Sequence, residues 1–91
     1  MQEQFKQKRK ELKTALSKVI CGLITERKTS ATLFAEEMEM SKTTILKIKS
    51  ASLDPQLSTI FKIASAFELE PAKLIKMVEE EMPCGYNFLE N

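Results

Sequence analysis

The sequence predicts an all-α domain, and three features of its composition support that prediction. Leucine and isoleucine supply 17 apolar positions whereas valine supplies two, which favours helices over strands. Glycine, which weakens helix interiors, occurs only at Gly22 and Gly85. With 91 residues, 43% hydrophobic and 30% charged, the chain has the size and balance of one small folded domain.

The first predicted helix is amphipathic, because apolar side chains recur every three or four residues from Leu12 to Ile24. We expect it to end at about Arg27. The basic stretch before it, from Lys6 to Lys13, is either a helical extension of this element or a loose arm. The expected division of the chain is a basic extension or start of the first helix at 1–14, a helical domain at 15–82 and a tail at 83–91.

Two short helices follow, each opened by a serine that can cap it. Ser30 precedes a helix of about two turns, and Ser41 precedes the next one. In that third helix, the spacing turns Ile45 and Ile48 inward. The second helix is expected to carry its apolar residues on one face, and these are Leu33, Phe34, Ala35 and Met38. The outward arc of the third helix consists of Lys42, Thr43, Leu46, Lys47 and Lys49.

Two further helices are marked by prolines. Pro55 disfavours helical geometry at the residue before it, so a loop is expected there. The fourth helix is apolar over more than half of its circumference, which predicts the most buried element of the domain. Its apolar residues are Leu57, Ile60, Phe61, Ile63, Ala64 and Phe67. The fifth helix begins near Pro71, ends before Pro83, and aligns Leu74, Ile75, Val78 and Met82.

The composition removes most catalytic chemistry. Histidine is absent, and with it the usual general base, the histidine-dependent triads and every zinc site that needs an imidazole. Cys21 and Cys84 have no CxxC spacing and are expected to be reduced thiols. The longest apolar run, residues 19–24, is too short to cross a bilayer. We therefore expect a cytoplasmic protein that is not an enzyme, has no cofactor or metal, and does not bind a membrane.

Charge is unevenly distributed along the chain although the net charge is only +1. Residues 1–18 carry +4 and residues 42–67 carry +3, whereas residues 19–41 carry −2 and residues 68–91 carry −4. If the fold brings the two basic segments to one face, that face will attract a polyanion. The same distribution is equally typical of ordinary solvated helix faces, so charge alone leaves both interpretations open.

The two short helices, joined by Glu39 and Met40, form a helix-turn-helix, which can present its second helix to the DNA major groove. The stretch SATLFAEEMEMSKTTILKIKSASLDPQLSTIFKIASAFELEPAKLI resembles the helix-turn-helix family of phage Cro and repressor proteins, also called the XRE family. The resemblance extends over about residues 20–75. The matching positions are Ala35, Met38, Met40, Ile45, Ile48, Pro55, Leu57, Thr59, Ile63 and Ala64.

The resemblance implies a five-helix, lambda-repressor-like helix-turn-helix domain with a basic N-terminal extension. It also implies a sequence-specific regulator of transcription, for which repression is the better expectation, acting on double-stranded DNA. The family's base-reading positions match Lys42, Thr43, Thr44 and Lys47. Its phosphate-contacting positions match Ser30, Thr32, Ser41, Lys49, Ser50 and Ser52. Lysine can donate to guanine, and threonine can meet a base edge or a thymine methyl group.

Two departures from the family pattern concern function. The usual glycine of the turn is Glu39, which costs roughly 1 kcal/mol if the backbone there is left-handed and otherwise changes the shape of the turn. The polar residue that begins the second helix and meets a phosphate is Ala31, which has no donor. The N-terminus of that helix can still hold a phosphate oxygen through Ser30 and the backbone amides.

A homodimer is expected, because proteins of this family usually bind half-sites about one helical turn apart as two-fold dimers. The candidate surface is the last helix and the tail, with Met77, Met82, Tyr86, Phe88 and Leu89. The same residues could equally fold back to complete a small core. The alternative function is a helical protein-interaction module, or an antitoxin-type protein holding a protein partner, in which DNA binding is weak or lost.

Overall fold

The computed structural model describes residues 2–28, 31–37, 39–83 and 88, and for residues 2–5, 31 and 32 it describes the backbone alone. The described chain is helical and contains no strand, which confirms the predicted fold class. Its helices are α1 (Gln2–Glu26), α2 (Ala31–Glu37), α3 (Lys42–Lys49), α4 (Leu57–Ala66) and α5 (Pro71–Glu80).

Helix α1 contains the whole basic segment, so Lys6 to Lys13 continue the first helix and do not form a loose arm. At 1.5 Å per residue, a helix of 25 residues is about 37 Å long, close to the 41 Å of the longest molecular dimension. Its buried side chains begin at Ala15 and end at Ile24. The first half of α1 therefore adds little to the core.

The core lies where α1 packs against α3 and α5, with α2 against α3 and α4 against α5. Phe34 is fully buried and stacks on Phe67, with 4.5 Å between the ring centroids. The Arg27 guanidinium lies 5.4 Å from the centroid of the same Phe67 ring. The largest fully buried side chains are Phe34, Ile20, Ile45, Ile48, Ile63 and Leu74. The inward positions predicted for α3 are thus confirmed.

The expectation that the fourth helix is the most buried element is wrong. Only Ile63 and Ala64 of α4 are buried, whereas α1 buries side chains along three turns. The reason is that α4 packs chiefly against α5, which leaves one flank uncovered. The large apolar side chains that remain exposed are Leu33 (54%), Leu46 (47%), Leu57 (65%), Phe61 (50%) and Ile75 (46%).

The residues proposed for a dimer surface are divided by the structure. Met82 is buried, and Met77 and Phe88 are partly buried against the core. These three side chains therefore help to complete the monomer, as the second sequence interpretation expected. Tyr86 and Leu89 lie outside the described residues.

Four helix ends have a left-handed backbone at a residue other than glycine. These residues are Lys28, Glu39, Ala51 and Glu68, with φ between 53° and 60°. Non-glycine residues in this region are uncommon, because the Cβ atom approaches the backbone too closely. Each of the four sites therefore carries a conformational cost that glycine would relieve.

Among the described helices, none is both long enough and apolar enough to cross a membrane.

Candidate nucleic-acid interface

The turn between α2 and α3 is closed by two backbone hydrogen bonds. The Glu39 amide donates to the carbonyl of Glu36 over 3.1 Å, and the Met40 amide donates to the carbonyl of Ala35 over 2.9 Å. Glu39 itself has φ 53°, so it keeps the left-handed backbone that glycine usually provides. The turn therefore retains its shape, and glutamate at this position costs roughly 1 kcal/mol.

Helix α3 begins at a serine cap, as its sequence predicts. The Ser41 hydroxyl accepts a hydrogen bond from the Thr44 amide over 3.1 Å, and lies 2.8 Å from the Thr44 hydroxyl. Thr44 is half-buried. Of the predicted contact residues, Ser41 and Thr44 thus point their hydroxyl groups at each other. Because their mutual hydrogen bond uses one of the two O–H groups, one of these hydroxyls can still donate to an outside acceptor.

The outward face of α3 presents a compact set of donors. Ile45 and Ile48 are buried, and the opposite side of the helix exposes Lys42, Thr43 and Lys47. The structure therefore brings three of the four predicted base-reading residues onto one solvent-facing surface. Leu46, for which the sequence predicts no contact, is 47% exposed between these residues. An apolar side chain there can meet a thymine methyl group in the major groove.

The lysine side chains of α3 have no acidic partner among the residues that the structure describes. Glu37 of α2 pairs with Arg27 at 3.8 Å. Neither Lys42 nor Lys47 joins an ion pair in the described part of the chain. Their charges are consequently not neutralised by α2 and are available to an anionic partner.

The C-terminal end of α3 repeats the closure seen after α2. The Ser52 amide donates to the Lys47 carbonyl over 2.8 Å, the Ala51 amide donates to the Ile48 carbonyl over 3.1 Å, and Ala51 has φ 60°. This pairing is the Schellman arrangement. It satisfies the Lys47 and Ile48 carbonyl groups at the end of the helix.

The predicted phosphate-contacting residues at this end lie close together. The hydroxyl groups of Ser50 and Ser52 are 2.8 Å apart, and Ser50 also donates to the Lys47 carbonyl over 3.1 Å. The Lys49 side chain is exposed. The backbone carbonyl of Lys49 accepts a hydrogen bond from the Ser17 hydroxyl of α1 over 2.5 Å. Ser17 was not recognised from the sequence, since nothing local shows that α1 reaches α3.

The remaining predicted contacts lie at the start of α2. Ser30 is outside the described residues, as is the side chain of Thr32. Their assignment as phosphate contacts, and the departure at Ala31, remain sequence predictions.

The comparison with protein families supports the arrangement just described. A family model described as helix-turn-helix matches residues 23–74, which are 52 of the 91 residues. The match covers the end of α1, all of α2, α3 and α4, and the first turn of α5. No curated protein and no solved structure is significantly similar to the chain.

Proposed function

Because the chain belongs to the XRE helix-turn-helix family, whose members are DNA-binding regulators, we propose that it is a cytoplasmic transcriptional repressor. It reads an inverted repeat in double-stranded DNA as a homodimer. The observation that carries the proposal is the outward face of α3. Lys42, Thr43 and Lys47 are exposed there, without acidic partners in the described chain, while Ile45 and Ile48 anchor the helix from behind.

Each side chain of this face has a specific part in base recognition. Lys42 and Lys47 donate to the O6 and N7 atoms of guanine, so each half-site contains guanine. Thr43 offers its hydroxyl to a base edge or its methyl group to thymine. Thr44 contacts a base edge through the hydrogen-bonding capacity of its hydroxyl that the bond to Ser41 leaves unused.

Backbone contacts set the register of α3 on the duplex. Ser41 at the start of α3 and Lys49, Ser50 and Ser52 at its end face phosphates on either side of the bases that are read. Ser30 and Thr32 hold a phosphate at the start of α2. These contacts position the protein and carry no sequence information themselves.

The dimer forms through the last helix and the tail. Ile75 of α5 is 46% exposed, which supports an apolar contact at this place. Met82 is buried in the monomer and is therefore not part of the contact. The acidic residues that follow, Glu79, Glu80 and Glu81, are kept away from DNA by repulsion.

The proposal is tested by selecting binding sites for the full chain from a pool of random duplex DNA. We expect an enriched palindrome whose binding weakens by about 1–3 kcal/mol for each base-reading substitution, at particular bases only. Lys42→Ala and Lys47→Ala are the test variants. Lys62→Ala, which removes an exposed lysine from α4, is the matched control. An absence of both enrichment and salt-dependent binding at physiological ionic strength contradicts the proposal.

The second candidate function, a protein-interaction module, is supported by one feature. Leu57 and Phe61 are 65% and 50% exposed and lie one turn apart on α4. Apolar side chains exposed side by side are typical of a surface that receives another protein. The site selection separates the two candidates, because a chain that works only as an interaction module enriches no DNA sequence.

A further inference from the structure

The basic residues at the start of α1 form a stripe along one side of the helix. Lys6, Lys10 and Lys13 follow the spacing of three and four residues that places side chains one above the other. Ser17 continues the same stripe, and it is buried. The side of α1 that is basic in its first half is thus the side that meets the rest of the protein in its second half.

Ser17 fixes where that side of α1 points. Its hydroxyl donates to the carbonyl of Lys49, the last residue of α3, over 2.5 Å. The basic residues that precede Ser17 along α1 therefore lie near the C-terminal end of α3. Accordingly, Lys6, Lys10 and Lys13 line one shallow depression of about 220 Å³ together with Ala51, which follows α3.

Helix stability does not explain this placement of charge. Like charges spaced three and four residues apart on one face of a helix repel each other and weaken the helix slightly. Arg9 on the same side is held by Asp54 at 3.6 Å. Lys6, Lys10 and Lys13 form no ion pair with any residue that the structure describes. A local conflict of this kind is typical of a functional surface.

The stripe lies beside the end of α3, where Lys49 is exposed and Asp54 is already paired with Arg9. We propose that Lys6, Lys10 and Lys13 of α1 bind the DNA backbone beyond the bases that α3 reads. This inference rests on the proposed function and deepens it. From Lys6 to Lys13 the helix rises about 10 Å, which matches the axial rise of about three base pairs of duplex. The stripe thus extends the phosphate contacts of Lys49, Ser50 and Ser52 along one strand.

The test compares two triple variants of the full chain that lose the same charge. The first is Lys6→Gln, Lys10→Gln and Lys13→Gln. The control is Lys18→Gln, Lys28→Gln and Lys62→Gln, whose lysines are exposed outside the stripe and outside α5, with Lys18 beside Glu80 and Glu81. The Kd for a mixed-sequence duplex of about 30 base pairs is measured against salt concentration for both variants and for the unmodified chain. Circular dichroism checks that each variant is folded.

The expected result is a fall in the salt slope for the first variant only. Each phosphate contact contributes about 0.9 to the slope, so three lost contacts lower it by about 2.7 per bound protomer, and by about twice that when a dimer binds. A variant with arginine at residues 6, 10 and 13 is expected to keep the slope, because charge and not side-chain shape carries the effect. An unchanged slope in the glutamine variant, or an equal fall in the control or the arginine variant, overturns the inference.

The same measurements separate this inference from the proposed function. If the unmodified chain shows no salt-dependent binding, the proposed function fails and the inference fails with it. If the unmodified chain binds and the glutamine variant keeps its slope, the proposed function stands and only the role of α1 is contradicted.

Discussion

Helices α3 and α4 are similar in length and in how they are held, but their uncovered sides differ. Each buries two side chains in the core, Ile45 and Ile48 in α3 and Ile63 and Ala64 in α4. The uncovered side of α3 is mostly basic and polar. The uncovered flank of α4 is apolar, with Leu57 and Phe61 exposed.

This difference shows which residues folding constrains and which it leaves open. Two buried side chains and the packing of neighbouring helices hold each element in place. Exposed side chains contribute little to stability, so their chemistry reports what the surface meets. Lysine and threonine suit a polyanion with readable base edges, whereas leucine and phenylalanine suit another protein.

The largest expected effect distinguishes the buried side of α3 from its exposed side. Ile48→Ala removes a fully buried side chain and should lower the free energy of unfolding by about 2–5 kcal/mol. Leu46→Ala, on the exposed side, should change it by about 0.5 kcal/mol or less while weakening DNA binding. Urea unfolding followed by circular dichroism measures the first quantity. Similar losses of stability in both variants would show that α3 does not have distinct inner and outer faces.

A second prediction separates the flank of α4 from the proposed dimer surface. Ile75→Lys places a charge in the α5 contact and should raise the dissociation constant of the homodimer by about tenfold or more. Phe61→Lys on α4 should leave it within about twofold, because that residue lies outside the proposed contact. Sedimentation equilibrium of both variants provides the measurement. Dissociation caused by Phe61→Lys alone places the dimer surface on α4, and a monomeric unmodified chain contradicts the dimer.

The smallest expected effect concerns the turn between α2 and α3. Glu39→Gly should stabilise the fold by about 1 kcal/mol, because φ 53° is unfavourable for a residue with a Cβ atom. Since the turn already has the left-handed shape, the placement of α3 should not change. Glu36→Gly, at the penultimate residue of α2, is the matched control and should cost up to about 1 kcal/mol. The melting temperatures of both variants provide the measurement. A lower melting temperature for Glu39→Gly would contradict the left-handed backbone at this residue.

Much of the candidate site could be predicted from short-range patterns. The cap at Ser41 and the spacing of Ile45 and Ile48 predict where α3 begins and which side faces inward. The exposure of Lys42, Thr43 and Lys47 follows from the same spacing. The hydroxyl pair of Ser41 and Thr44 could not be predicted, because it depends on side-chain rotamers.

The all-helical class, the loop before α4 and the start of α5 at Pro71 follow from local signals, because caps, prolines and helical periodicity act within a few residues. Tertiary structure alone decided that Leu57, Phe61 and Ile75 stay exposed although their pattern marks them as core. The tertiary structure also places the basic residues of α1 beside the end of α3. Burial and juxtaposition depend on which other helix covers a face, and that helix lies far away in the chain.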